Sequence, residues 1–539
     1  MSRTLLIGLD GATFTVLDAL MDRGLMPALK RLCDGGVRAG LMSTANPLTP
    51  LAWTSLLTGR SPGHHGIFDF VRVEQLSYHP HFRLATSSDI RCPTIYTLIG
   101  AQGLRSISLN FPVMFPPRPI NGFLIPGFVP HRHLQRAMHP RELYDRLSAL
   151  PEITLKELPV DFEDERRSVQ VLAPERHEEW IRFHIRRERQ WFNVLSHLMQ
   201  TEPWDLASVV FDGVDKLQHA CWRFIDDGLF ASIGASAWAQ RVRELCLDYF
   251  RQLDDLIARA IELAGSETRV FLASDHGFGP SDEIFYVNSW LAEQGFLAWK
   301  EDAPVAPEGY INTEGMKAAA FLFDWSRTNA YTLTPGSNGI YLRPGGAPGA
   351  PALSDAERAS LRRRIIDGLM QVRNPGTGER VVRRVMTREE AFPGPHSGLA
   401  ADLTLVLRDY GFVSVTRSDA IIKTRKEVAG VHNPRGIFLA AGPGIRRGAV
   451  VGDLSILDVT PALMHSLGRP VPEEFEGRLP LEIFADAHAM QPAALAAVAA
   501  GAASPTDTAA AGLAAMEAGM DAEGEATVME RLRALGYIE

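Results

Sequence analysis

Cysteine is scarce in this chain of 539 residues: Cys33, Cys92, Cys221 and Cys246 are all it has, with no close pair among them. That excludes a disulfide scaffold and a paired-cysteine zinc site, and it fits a reducing compartment. Long apolar runs are missing too. Near the N-terminus, Leu5 to Leu9 is cut short by Asp10, too brief for the apolar segment of a secretory signal. No stretch approaches the roughly 20 apolar residues that a membrane-spanning helix needs. Nor is there an excess of positive charge: 55 Lys and Arg stand against 64 Asp and Glu, a formal net charge of -9. Such a balance offers no electrostatic footprint for a nucleic-acid polymer or an anionic membrane. The expectation is a cytoplasmic protein whose partner is a small molecule taken up in a site. What is present is ordinary globular composition, 46% hydrophobic and 22% charged, in a chain long enough for one large domain with insertions or for two to three smaller ones.

Several short apolar runs end at a polar or glycine-rich turn: Leu5 to Leu9, Leu206 to Phe211, Val270 to Ala273 and Ile437 to Ala441. Apolarity that is continuous and not alternating is the mark of strands buried on both faces. Between them lie helical patterns, such as Ala237 to Ala264 with Val242, Leu245, Tyr249, Leu253, Leu256 and Ile257 on one stripe. The alternation predicts an α/β fold, a mostly parallel sheet with helices on both faces. Residues 72–204 and 290–395, rich in Pro, Gly or charge, read as cap insertions into a catalytic domain spanning 1–485. An Ala/Gly-rich stretch at 486–525 reads as a linker, and 526–539 as a short terminal helix.

In open parallel sheets ligands bind beyond the carboxyl ends of the strands, and acidic and imidazole side chains stand there. Asp10 follows the first run, and Asp275-His276-Gly277 follows the third. Asp215 and His219, four apart after the second run, share one face of a helix and could grip one cation; alone, that spacing also occurs on ordinary helix surfaces. His432 precedes the last run, where a single histidine is commonly structural. Taken together, three carboxylates and three imidazoles suffice for two neighbouring three-ligand sites. Oxygen and nitrogen donors without thiolate fit two divalent ions, zinc first, with manganese or iron also compatible.

A hydroxyl lies in Thr49-Pro50-Leu51-Ala52, before Gly59. The pattern reads as a helix with Thr49 as N-cap, proline at the first helical position and glycine as stop. Such a start leaves the amides of Leu51 and Ala52 to meet an anion. Thr49 either only caps the helix or, beside a metal, becomes a nucleophile. His64 and His65 read as structural, and Asp212 as a turn residue.

This ordered set, Leu9-Asp10-Gly11, Thr49 ten residues before Gly59, Pro62-Gly63-His64-His65-Gly66-Ile67, Asp215-x-x-x-His219, Asp275-His276-Gly277 and Gly430-x-His432, resembles the type I phosphodiesterase/nucleotide pyrophosphatase branch of the alkaline phosphatase superfamily. The resemblance implies that Asp10, Thr49, Asp275 and His276 surround one metal and that Asp215, His219 and His432 hold the other, zinc being usual. It implies cleavage of phosphodiester or pyrophosphate bonds through a phosphothreonine at Thr49. Three carboxylates against two divalent ions leave about one positive charge, which suits a singly charged diester. Candidate substrate contacts are Asn46 and Lys216, as donors to a phosphoryl oxygen, and Phe111, as an aromatic face. The competing readings are a phosphomonoesterase or phosphonate hydrolase on the same metals and, from another class, a metal-stabilised binding scaffold with weak catalysis. A sulfatase is disfavoured, because no Cys or Ser followed by x-Pro-x-Arg stands at the nucleophile.

Overall fold

The apolar runs form the middle of a nine-stranded sheet in the computed structural model, which describes residues 3–73, 82–159, 174–234, 236–305, 322–343 and 353–485. In chain order its strands are β1 (Thr4–Leu9), β2 (Val37–Met42), β3 (Ser106–Leu109), β4 (Gly122–Ile125), β5 (Leu206–Phe211), β6 (Arg269–Ala273), β7 (Arg435–Ala441), β8 (Ala449–Val450) and β9 (Leu454–Ser455). They lie side by side as β8-β2-β7-β6-β1-β5-β3-β4, with β9 also on β2. Neighbours are parallel except at β7, which runs antiparallel to both β2 and β6.

Continuous apolarity has the expected cause. Leu5, Ile7 and Leu9 of β1 face one buried cluster while Leu6 faces another, so neither face of the strand meets water. Four helices matter to the site: α1 (Thr49–Thr58), α2 (Pro174–Thr201), α3 (Gly213–Ile225) and α4 (Ala237–Ala264). Helices α2, α3 and α4 bury Trp191, Leu217 and Leu253 on the first face. On the opposite face, α1 buries Trp53 and Leu56 together with Leu463 from the helix Val459–Ser466. Among the described residues no helix is long and apolar enough to cross a membrane.

The expected boundaries of the insertions need correction. Residues 72–204 are not a cap: they supply β3 and β4 to the central sheet and α2 to its first layer. The Pro-rich stretch 110–117 follows β3, and the charged stretch 175–200 is α2 itself, with Arg187 and Glu188 buried. The described residues of 290–395, by contrast, belong largely to a second body. Four antiparallel strands, Ala330–Tyr331, Gly339–Leu342, Leu403–Leu407 and Val382–Thr387, pair in that order around a core running from Phe285 to Ile422. Two long strands, Gly277–Phe285 and Ile422–Asn433, pair antiparallel and join this body to the sheet. The stretches expected as linker (486–525) and terminal helix (526–539) lie outside the described residues.

Candidate active site

Polar side chains collect where the parallel strands end. Asp10 follows β1, Asp212 follows β5, Asp275 and His276 follow β6, and Asp215 and His219 stand one turn apart on α3. His432 reaches the same edge because β7 is antiparallel, so the residues before it, not those after it, stand at the carboxyl ends of its neighbours. A glycine makes the approach possible. A Cβ on Gly430 would come within 2.1 Å of the Gln218 carbonyl oxygen, so a larger residue would push the His432 strand away from α3.

Two sets of donors result. In the first, His276 Nε2 lies 3.2 Å from Asp275 Oδ2 and 3.6 Å from Asp10 Oδ1. In the second, Asp215 Oδ1 lies 3.4 Å from His219 Nε2 and 3.2 Å from His432 Nε2, and the two imidazole nitrogens are 3.1 Å apart. The sets adjoin: the rings of His276 and His432 stack with centroids 3.6 Å apart, and His276 also comes within ligand range of Asp215 and His432.

The protons on these rings are fixed by their neighbours. The Nδ1 atoms of His219, His276 and His432 meet the carbonyl oxygens of Gly430, Gly277 and Pro47 at 3.0, 3.1 and 2.7 Å. A carbonyl only accepts, so each Nδ1 donates and each Nε2 presents a lone pair to the site. Two lone pairs at 3.1 Å call for a cation between them. The carboxylates are prepared in the same way. Asp10 Oδ2 accepts from the Trp53 indole at 3.4 Å and Asp275 Oδ1 from the Gly11 amide at 3.1 Å, while Asp10 Oδ1 and Asp275 Oδ2 accept no hydrogen bond among the described residues. Burial, then the neighbouring carboxylates, pushes Asp10 well above the usual carboxylate range. Burial does the same to Asp275. Burial lowers His276 and His432, keeping both rings neutral, the form that ligates metal. The donor set therefore fits two divalent cations.

Thr49 joins this group: its Oγ1 lies 3.4 Å from His276 Nε2, and the residue is fully buried. The local helix start differs from expectation. Leu48 is the cap and Thr49 the first helical residue, and the amides of Leu51 and Ala52 are taken, donating to the Leu48 carbonyl at 3.0 and 3.1 Å. Thr49 is thus presented by the turn, with no pair of empty amides beside it. The predicted stop holds, Gly59 closing α1 at φ 62°, in the left-handed region that favours glycine.

The three candidate substrate contacts separate. Phe111 is core, fully buried and packed edge-on against Trp53 and Tyr96. Asn46 spends its amide on the second body, Nδ2 donating to the Gly336 carbonyl at 2.8 Å. Lys216 remains, buried in the first turn of α3 beside Asp215. Asp212 is more than a turn residue: it pairs with the buried Arg187, a contact across α2 that no sequence spacing announces. Trp53 as a partner of Asp10 and Phe412 against His432, centroids 5.1 Å apart, were equally invisible, since apolar residues at such positions read as core.

His65 has a structural setting. Its Nδ1 accepts from the Ile67 amide at 3.2 Å, its Nε2 meets Ser55 Oγ at 2.9 Å, and burial pushes its pKa down from 6.5 to about 3. Below the ordinary value the unfolded chain takes up a proton that the folded chain refuses, so stability falls with pH from about 6.5 toward about 3. Near pH 5 this single ring should cost roughly 2 kcal/mol relative to neutral pH. His65→Gln should show a shallower loss of urea midpoint between the two conditions; equal slopes would assign the acid sensitivity elsewhere.

Comparisons with known proteins identify the family. The profile of the type I phosphodiesterase/nucleotide pyrophosphatase family matches residues 4–434. No curated protein sequence matches significantly. Among solved structures, phosphonoacetate hydrolase from Sinorhizobium meliloti 1021 in complex with phosphonoformate is similar in fold, with 17% identity, a TM-score of 0.50, and coverage of 87% of this chain and 95% of that one. Its complex with phosphonoacetate gives 16% identity and 0.51 over 87% and 95%. Murine ectonucleotide pyrophosphatase/phosphodiesterase 5, an inactive variant in complex with AMP, gives 13% and 0.48 over 87% and 96%. The chain belongs to the type I phosphodiesterase/nucleotide pyrophosphatase family, a two-metal hydrolase class of the alkaline phosphatase superfamily, and is a phosphoester hydrolase.

Proposed function

We propose that the protein cleaves phosphodiester or pyrophosphate bonds of a small-molecule substrate through a phosphothreonine formed on Thr49. Asp10, Asp275 and His276, with Thr49, would hold one divalent cation, and Asp215, His219 and His432 the other; the nitrogen and oxygen donors suit zinc. Such a pair, when bound, lowers the pKa of an adjacent hydroxyl and offsets charge on the transferred phosphoryl group. Thr49 Oγ then attacks phosphorus, the bond to the leaving oxygen breaks, and an alcohol or phosphate departs. Water hydrolyses the phosphothreonine and returns the hydroxyl. The observation that carries this reading is the 3.4 Å approach of Thr49 Oγ1 to His276 Nε2, the imidazole within ligand range of both carboxylate sets.

Acid quenching of metal-loaded protein mixed with excess bis(p-nitrophenyl) phosphate should trap a phosphoryl ester on the Thr49 peptide, visible by mass spectrometry, together with a burst of nitrophenolate. Turnover with neither adduct nor burst would replace the covalent route with direct attack by water.

A further inference from the structure

Lys216 is a buried cation, 1% exposed, in the first turn of α3 next to Asp215. Its ammonium makes no hydrogen bond among the described residues. One carboxylate stands near it, Asp212 Oδ2 at 3.5 Å, and that carboxylate is already paired with the buried Arg187 guanidinium. Arg187 is itself pinned, its Nε donating to the Leu158 carbonyl at 2.9 Å. Asn110 Nδ2 adds a contact to Asp212 Oδ1 at 3.3 Å. Glu188, the other acid in this network, accepts from the Gly213 amide at 2.6 Å and from the Tyr249 hydroxyl at 3.0 Å. Burial, then Asp212, pushes Glu188 up to about 8, so it adds little negative charge at neutral pH. Asp212 and Arg187 cancel, and Lys216 is left over.

Lys216 directly follows the candidate ligand Asp215 in the first turn of α3, and its ammonium lies 5.2 Å from the centre of the Phe128 ring. Phe128 shares an apolar cluster with Leu48 and Leu51, which flank Thr49. Phe128 holds left-handed backbone, φ 58°, a conformation that a bulky residue adopts only where the surroundings enforce it. A buried lysine costs stability unless something compensates its charge. Among the described residues, the nearby carboxylate of Asp212 is already paired with Arg187.

We propose that Lys216 reads substrate charge: it takes a second negative charge on the phosphoryl substrate, so that doubly charged pyrophosphates are preferred over singly charged diesters. The inference rests on the two-metal reading above and narrows its substrate class. The ligand carboxylates and two divalent ions leave about one positive charge, to which Lys216 adds another. Arg187 and Asp212 are positioning residues that hold the ammonium in place and touch no substrate.

The test compares wild type, Lys216→Met and Lys216→Arg, each checked for metal content and circular dichroism. The substrates are methyl p-nitrophenyl phosphate, a monoanion; p-nitrophenyl phosphate, a dianion; and diadenosine diphosphate, a pyrophosphate. Lys216→Met should lose roughly 10- to 100-fold more kcat/KM on the charged pair than on the monoanion, as expected for removal of a charge-assisted contact. Lys216→Arg should recover most of that difference. The dianion and pyrophosphate arms tell which source supplies the charge. Equal losses on all three substrates, or no loss on any, would overturn the role. Calorimetric binding of inorganic phosphate to Thr49→Ala and to Thr49→Ala/Lys216→Met supplies a readout free of turnover: affinity should fall at least about tenfold with the lysine. Unchanged affinity would overturn the proposal even in a protein that hydrolyses none of the esters, whereas that lack of hydrolysis would by itself count against the phosphothreonine reading alone.

Discussion

Thr49→Ala should lower kcat/KM on an activated aryl phosphodiester by at least roughly a thousandfold while the protein keeps its metals and its fold. The hydroxyl is the one group on α1 whose oxygen approaches the metal-type donors, 3.4 Å from His276 Nε2, and alanine takes away the attacking atom without touching a carboxylate or an imidazole. The fold should tolerate the change, since a short side chain at the first helical position leaves a void of only two heavy atoms, at a cost of about 1 kcal/mol. Thr49→Ser keeps the oxygen and should retain activity within roughly tenfold. Elemental analysis must accompany the rates. An alanine variant that turns over substrate like wild type would remove Thr49 from the chemistry altogether.

Removal of one imidazole should be nearly as damaging. His432 donates from Nδ1 to the Pro47 carbonyl at 2.7 Å and directs Nε2 toward Asp215 at 3.2 Å. His432→Ala therefore leaves Asp215 and His219 as a two-ligand remnant, too few to hold a divalent ion well. Bound zinc should fall from about two equivalents per chain to about one, and turnover by at least roughly a thousandfold. Zinc should also raise the unfolding temperature of wild type more than that of the variant, because ligand that binds only the native state stabilises it by mass action. His65→Gln serves as the control, being a buried histidine committed to Ser55 and Ile67. Two equivalents retained by His432→Ala would take His432 out of the ligand set.

How much of this was legible beforehand varied with the physics of each feature. Strands buried on both faces announce themselves by uninterrupted apolar residues, and β1, β5, β6 and β7 fall on the runs read from sequence. Helix α4 has the expected bounds, and of its expected stripe only Leu245 is partly instead of fully buried. The group of ligand-type side chains was legible because carboxylates and imidazoles at strand ends have no packing reason to be there. Segments whose composition is set by two demands at once were misread. Helix α2 carries charge because one side meets water, yet Arg187 and Glu188 on it are buried, and so a stretch expected in a cap lies against the sheet. Phe111 was misread because an aromatic side chain serves a core and a binding face equally well; here Trp53 and Tyr96 enclose it.

The residue order alone determined the α/β class, the positions of the main strands and the list of donors, since these depend on local periodicity and side-chain chemistry. Tertiary structure decided what the list could do. The antiparallel course of β7 brings His432 to the edge where β1 and β6 end, backbone carbonyls fix which nitrogen of each imidazole is bare, and the pairing of Arg187 with Asp212 leaves the charge of Lys216 over. Strand direction, proton placement and charge cancellation arise between groups far apart in the chain, so no local pattern encodes them.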